Sequence, residues 1–177
     1  LGIVPYAPAS SLQSIIDTFK LEPVDIVYVD TGLYPLSQDL TIGDLDSGNA
    51  TNHVTIQGST NYADGGSVLD RQIPGGGTRG ILLQTATGIE LKDLIVRNAH
   101  VGVQMNLSQD CVLSRVRTEG NTMDGFGLQQ SHRFAFDHCV AFGNGTATNG
   151  AGVYSDRSDL TWENGALANN FFAVNLE

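Results

Sequence analysis

The stretches Gly80-Ile81-Leu82-Leu83-Gln84, Gly102-Val103-Gln104-Met105-Asn106, Gly125-Phe126-Gly127-Leu128-Gln129 and Gly150-Ala151-Gly152-Val153-Tyr154 are variations on one pattern. A fifth copy, Ala173-Val174-Asn175-Leu176-Glu177, closes the chain. The copies recur roughly every 23 residues, a period that belongs to stacked repeats. Within each copy apolar side chains alternate with polar or small ones, the period-two pattern of a strand with one face buried.

Two further apolar segments follow each of the first four copies. The nearer set is Ile89-Glu90-Leu91, Cys111-Val112-Leu113, Phe134-Ala135-Phe136 and Leu160-Thr161-Trp162. The farther set is Leu94-Ile95-Val96, Val116-Arg117-Thr118, Cys139-Val140-Ala141 and Gly165-Ala166-Leu167. Each unit ends near an asparagine: Asn98, Asn121, Asn144, and Asn169 or Asn170. Three short strands per unit, joined by tight turns, make one coil of a parallel β-solenoid. A leucine-rich repeat has a similar period but needs a helical return, and the short polar turns leave no room for one.

Register then predicts inward columns. These are Ile81/Val103/Phe126/Ala151/Val174, Leu83/Met105/Leu128/Val153/Leu176, Ile89/Cys111/Phe134/Leu160 and Leu91/Leu113/Phe136/Trp162. Trp162 is therefore read as core, not as a sugar-stacking platform. Cys111 and Cys139 fall in different columns, about 15 Å apart along the coil, and a disulfide needs Cα atoms within about 7 Å. Two buried, inert thiols are expected.

Before the regular coils, Ser10 or Ser11 can cap a helix over residues 9 to 21, with Leu12, Ile15, Ile16 and Phe19 as its apolar stripe. A solenoid exposes a hydrophobic end, so residues 1–22 are read as an N-terminal cap and 23–177 as the β-helix. Ile26-Val27-Tyr28-Val29, Leu40-Thr41-Ile42, Val54-Thr55-Ile56 and Val68-Leu69-Asp70 are strands, and Thr31 to Pro35 a turn. The polar segments Asp44–Asn52 and Ser59–Gly66 are surface loops, and Gly75-Gly76-Gly77 is a glycine-rich loop.

Composition narrows the function classes. The 177 residues hold 41% hydrophobic side chains, enough for a core, and 21 glycines without a collagen period. Nine Lys and Arg against 19 Asp and Glu give a formal net charge of −10. Nothing there would neutralise a row of phosphates, which argues against nucleic-acid binding. No apolar run is long enough to span a membrane. The opening at Leu1 and the ending at Glu177, inside a strand, are read as the edges of a piece of a longer protein, with the β-helix continuing past Glu177.

The combination S-L-Q-S-I-I-D (11–17), D-I-V-Y-V-D-T-G-L-Y (25–34), L-T-I (40–42), V-T-I-Q-G-S (54–59) and V-L-D (68–70), followed by the G-I-L-L-Q and I-E-L-K-D-L-I-V-R-N coils, resembles right-handed parallel β-helix proteins of the pectate-lyase-like superfamily. That group includes polysaccharide lyases, glycoside hydrolases, epimerases, tailspikes and surface proteins. The resemblance implies an all-β fold, an extracellular or cell-surface location and a polysaccharide partner.

In such proteins the substrate groove resembles a strip along the outward face of one strand stack. Here the predicted strip is Leu82/Gln104/Gly127/Gly152/Asn175 and Gln84/Asn106/Gln129/Tyr154/Glu177. Gln104, Asn106, Gln129 and Tyr154 are the candidate sugar-binding residues. The epimerases carry a Y-G-F-D-P-H-E-like motif, of which Asp124 to Gln130 keeps only the Gly-Phe. The strip shows no Lys or Arg for a lyase and no carboxylate pair for a hydrolase. The turn beyond it holds His132, Asp156 and Arg157, the catalytic candidates, and Asp124 lies just before the strand. The competing reading makes Asp110/Arg133/Asp159 and Asp93/Arg115/His138 alternating surface charge ladders. No metal site or cofactor is expected, although Asp44-Leu45-Asp46 and Asn61 to Gly66 are acidic loops that could take Ca²⁺. The sequence alone therefore favours a structural or adhesive segment that self-associates head to tail through an open coil end. A carbohydrate-active enzyme fragment is the alternative.

Overall fold

The computed structural model describes residues 12–146 and 148–177. The helix α1 (Leu12–Thr18) leads into β1 (Ile26–Tyr28), β2 (Gly32–Pro35) and β3 (Leu40–Ile42). Next come β4 (Val54–Gln57), β5 (Ser67–Asp70), β6 (Arg79–Gln84), β7 (Ile89–Lys92), β8 (Leu94–Arg97) and β9 (Val101–Asn106). The upper coils are β10 (Val112–Ser114), β11 (Arg117–Glu119), β12 (Phe126–Gln129), β13 (Phe134–Asp137), β14 (Val140–Phe142), β15 (Ala151–Asp156), β16 (Leu160–Glu163), β17 (Ala166–Ala168) and β18 (Phe172–Leu176). Every third strand joins the same sheet, which gives three six-stranded sheets. Every pairing between these strands is parallel. This is the predicted parallel β-helix with one short helix near its N-terminus.

The first and second sheets keep the predicted register. Leu91, Leu113, Phe136 and Trp162 stack in order, as do Phe134 and Leu160. Trp162 is half-buried and packs on the core, its ring 5.2 Å from that of Phe136. Both cysteines are free and fully buried, and burial pushes each thiol up to about 12. Neither thiol should react with a thiol reagent in the native protein, and both should titrate after unfolding. Fast labelling of either one in the folded chain would contradict that burial.

The third sheet departs from expectation at β15. Phe126 lies beside Val153, not Ala151, and Leu128 beside Ser155. The reason is the additional sequence between Asn144 and Ala151, where the Thr146 N–H donates to the Asn149 carbonyl (2.8 Å). Side chain to backbone bonds between lower coils join residues 22 or 23 apart, and those across this stretch join residues 26 or 27 apart. The repeat glycine of this coil is therefore Gly152 and not Gly150.

The repeat glycines answer to an asparagine ladder. The Asn121 amide donates to Asn144 Oδ1 (2.8 Å), and that of Asn144 to Asn170 Oδ1 (3.0 Å). A Cβ on Gly102, Gly125 or Gly152 would stand 2.7–2.8 Å from the amide nitrogen of Asn121, Asn144 or Asn170. Asn98 is not in this ladder. It holds a left-handed turn (φ 55) and donates to Asp70, and Ala99 occupies the ladder position, donating to Asn121 Oδ1. Asn144→Ala leaves the buried Asn121 N–H and amide without acceptors and should cost about 3 kcal/mol. Denaturant unfolding measures it.

Two smaller readings also change. Residues 32–35 form a strand rather than a turn, pairing with β5 along its whole length. Pro35 is tolerated there because β2 is an edge strand. The helix ends at Thr18, so Phe19 is exposed and outside the apolar stripe, while Leu12 and Ile16 are buried in the core. The proposed caps Ser10 and Ser11 and the rest of 1–11 lie outside the described residues.

Candidate functional site

The outward face of the third sheet carries a groove of about 340 Å³. Arg79, His100, Gln104, Asp124, Gln129 and Tyr154 are among its lining residues. Two loops flank it where the chain enters this sheet: the glycine-rich loop at Gly77, and the loop at Asn149 and Gly150. Both are departures from the plain repeat, and both lie beside the same strands.

Gln104 anchors the floor. It is buried, and its amide donates to Asn106 Oδ1 (2.9 Å) and to the Gly127 carbonyl (3.1 Å). A Cβ on Gly127 would stand 2.9 Å from Gln104 Oε1, so this glycine makes room for the amide of the coil below. Asn106 in turn reaches Gln84 Oε1 (3.4 Å). In the observed register Tyr154 lies beside Gly127 and Asp156 beside Gln129. The strip is therefore Gln104/Gly127/Tyr154/Asn175 and Asn106/Gln129/Asp156, which corrects the predicted columns. The same shift brings Asp156 onto the strip, where no carboxylate pair was expected.

Asp124 is the unusual group. It is only 4% exposed, and its Oδ1 accepts the Ala151 N–H at 2.8 Å. Among the described residues no Arg, Lys or His side chain forms an ion pair with it. Burial pushes its carboxyl up to about 6, against the opposing effect of that one N–H. Tyr154 donates to Glu177 Oε2 (3.0 Å). Its hydroxyl is held above the ordinary phenol value by burial first, then by Glu177, with Asp156 and Asp124 adding to the effect. Three carboxylates thus act on one phenol.

The structure separates the predicted catalytic candidates. His132 Nδ1 sits 2.6 Å from Asp159 Oδ1 on the surface. Asp156 and Arg157 form a two-point pair (2.9 and 3.1 Å), and Arg157 holds the carboxyl below its usual range. None of the three lines the groove. The ladders are real in part. Arg133 grips Asp110 with two bonds, and Arg115 grips the buried Asp93 with two more. Asp159 instead takes the Arg133 backbone N–H, and His138 pairs with Asp137. Of the two acidic loops, Asp46 accepts the Leu21 N–H and Asp64 the Asn61 amide. Among the described residues no cluster of three or more His, Cys, Asp or Glu could hold a metal.

Sequence reasoning had Gln104, Gln129 and Tyr154 but not Arg79, His100 or the burial of Asp124. Arg79 and Asp124 each stand one residue before a repeat glycine, Gly80 and Gly125. A charge at that otherwise apolar position was the available signal.

No family model and no curated protein matches this chain. Solved structures do. An alginate lyase from Paenibacillus sp. str. FPU-7 superposes over 90% of this chain with a TM-score of 0.71 and 16% identity. The chain shares the parallel β-helix fold of that lyase. It spans 62% of that lyase's length. A putative glycosyl hydrolase from Parabacteroides merdae ATCC 43184 matches over 86% of this chain and 79% of its own, with a TM-score of 0.50 and 14% identity.

Proposed function

We propose that the groove on the third sheet binds a polysaccharide and cleaves it by proton transfer through Asp124. The observation that carries this reading is a nearly buried carboxyl on the groove wall that accepts the Ala151 backbone N–H. A carboxyl that titrates near 6 is poised to give or take a proton near neutral pH. Around it, Gln129, Asn149 and Asn175 offer amide donors and acceptors, and Tyr154 an aromatic ring, over a floor that Gln104 holds in place. The alginate lyase and the putative glycosyl hydrolase that share the fold support a carbohydrate substrate.

The test is incubation with a glycan panel, reading both new reducing ends and the ultraviolet absorbance of unsaturated ends. Shortened product that disappears with Asp124→Asn supports the proposal. Product formed equally well by that variant would sink it.

A second reading, a structural segment that packs end to end, draws on Phe172, Val174 and Leu176, which are exposed on the last coil. Sedimentation over a concentration series tests it, and a monomer throughout would reject it.

A further inference from the structure

We infer that the groove takes a neutral polysaccharide rather than a uronate polymer; this rests on the groove being the glycan site. A uronate polymer carries one carboxylate per sugar and needs cations to receive it. The groove offers the opposite. Glu177 accepts the Tyr154 hydroxyl, and Asp156 and Asp124 act on the same phenol. An anionic sugar seated on Tyr154 would meet Glu177 and Asp124, which line the same groove, where burial weakens screening by water.

The arginines are already engaged. Arg79, the guanidinium on the groove wall, gives its backbone N–H to Asp39 Oδ1 (3.0 Å) and holds Nη1 3.6 Å from Oδ2 of the same carboxylate. Elsewhere Arg71 pairs with Asp39, Arg97 with Asp70 and Arg117 with Glu119. Arg115, Arg133 and Arg157 are bound by the aspartates described above. Of the two lysines, Lys92 lies on the first sheet and Lys20 follows the helix, and neither lines the groove. The formal charge of −10 repels polyanions at longer range as well. Besides the paired Arg79 and the imidazole of His100, the walls carry the uncharged amides of Gln129, Asn149 and Asn175, matched to hydroxyl groups that both give and accept hydrogen bonds.

The substrate class fixes the reaction. A neutral sugar has no carboxylate to acidify the proton at C5, so elimination is closed and hydrolysis remains. The glycosidic C–O bond breaks while a water oxygen bonds to the anomeric carbon. Asp124 gives its proton to the leaving oxygen, and the proton lost by the attacking water passes to solvent, from which Asp124 is reprotonated.

Affinity gel electrophoresis of the full chain tests the inference. The gels contain soluble β-glucan, galactomannan or arabinoxylan on one side, alginate or polygalacturonate on the other, each with Ca²⁺ and with EDTA. At least one neutral glycan should retard the chain about tenfold more strongly than either polyanion, and the gap should narrow as salt rises. Tyr154→Ala should abolish the retardation. The double substitution Asp124→Asn, Glu177→Gln should raise retention by alginate. Alginate or polygalacturonate bound as tightly as the neutral glycans, with or without Ca²⁺, and released by Tyr154→Ala, overturns the neutral class but keeps the groove. Retardation by no glycan, or one that Tyr154→Ala leaves unchanged, overturns the groove itself and the inference with it.

Discussion

Asp124→Asn is expected to lower glycan cleavage by a factor of about 10² to 10⁴, the usual worth of one positioned acid–base group. The amide has nearly the shape of the carboxyl. Its oxygen can still accept the Ala151 N–H that fixes the start of β15, so the coil should form normally. What the amide cannot do is release a proton. Glycan retention in affinity gels should therefore persist while product formation falls. In the wild-type chain, cleavage should decline as pH rises through about 6, where Asp124 loses its proton. A rate that is flat across that range, or a variant as active as the wild type, would show that Asp124 only ties two coils together.

The same group makes a stability statement with a definite sign. Its folded value of about 6 lies above the ordinary 3.8, so the folded chain binds this proton more tightly than the unfolded chain. Its contribution is fully present below about pH 4 and is lost as pH rises through 6, about 3 kcal/mol in all. Other carboxyls act in the opposite direction. Asp93 and Asp110 are held below 3.8 by Arg115 and Arg133, so their stabilisation is present above the ordinary carboxylate value and lost as pH falls. The difference between wild type and Asp124→Asn cancels those terms. The variant should gain stability relative to wild type between pH 4 and pH 8.

The reach of the sequence is clearest at β15. Alternation placed Ala151 and Val153 inward and Gly152 and Tyr154 outward, and the structure agrees, because a slip of two residues keeps the faces. The height within the stack was wrong, because Gly150 and Gly152 both look like the repeat glycine. Only the turn between Thr146 and Asn149 decides between them, and a turn's geometry is not written in a two-residue period. That slip hid the site: Tyr154 moves beside Gly127, and Asp156 joins the strip. The first and second sheets had no such insertion after Gly80, and their columns read correctly as far as Trp162 and Ala166. The groove walls were illegible for the same reason. Gly77 and Asn149 belong to loops whose direction depends on the coils beneath them.

Phe136→Ala should produce the largest loss of stability. The ring is 1% exposed. It stacks 5.2 Å from Trp162 at 23° and meets Phe126 edge-on at 5.3 Å and 80°. Those three rings join β13 and β16 of the first sheet to β12 of the third, so one side chain links two neighbouring coils and both sides of the core. Removing a buried phenylalanine costs about 3–5 kcal/mol, and an aromatic pair adds about 0.5–1.5 kcal/mol to its area burial. A domain holds only about 5–15 kcal/mol in total. In a solenoid the coupling runs between nearest coils, so a weak interface divides the stack. The variant should unfold in two steps, β13 to β18 first and the coils below Leu113 later. Hydrogen exchange would show this as early loss of protection in 134–176 with protection kept at Leu40, Leu83 and Leu91. Phe172→Ala, at a residue 50% exposed on the last coil, serves as the control and should change little. A single transition at the wild-type midpoint for Phe136→Ala would mean that the aromatic cluster does not couple the coils.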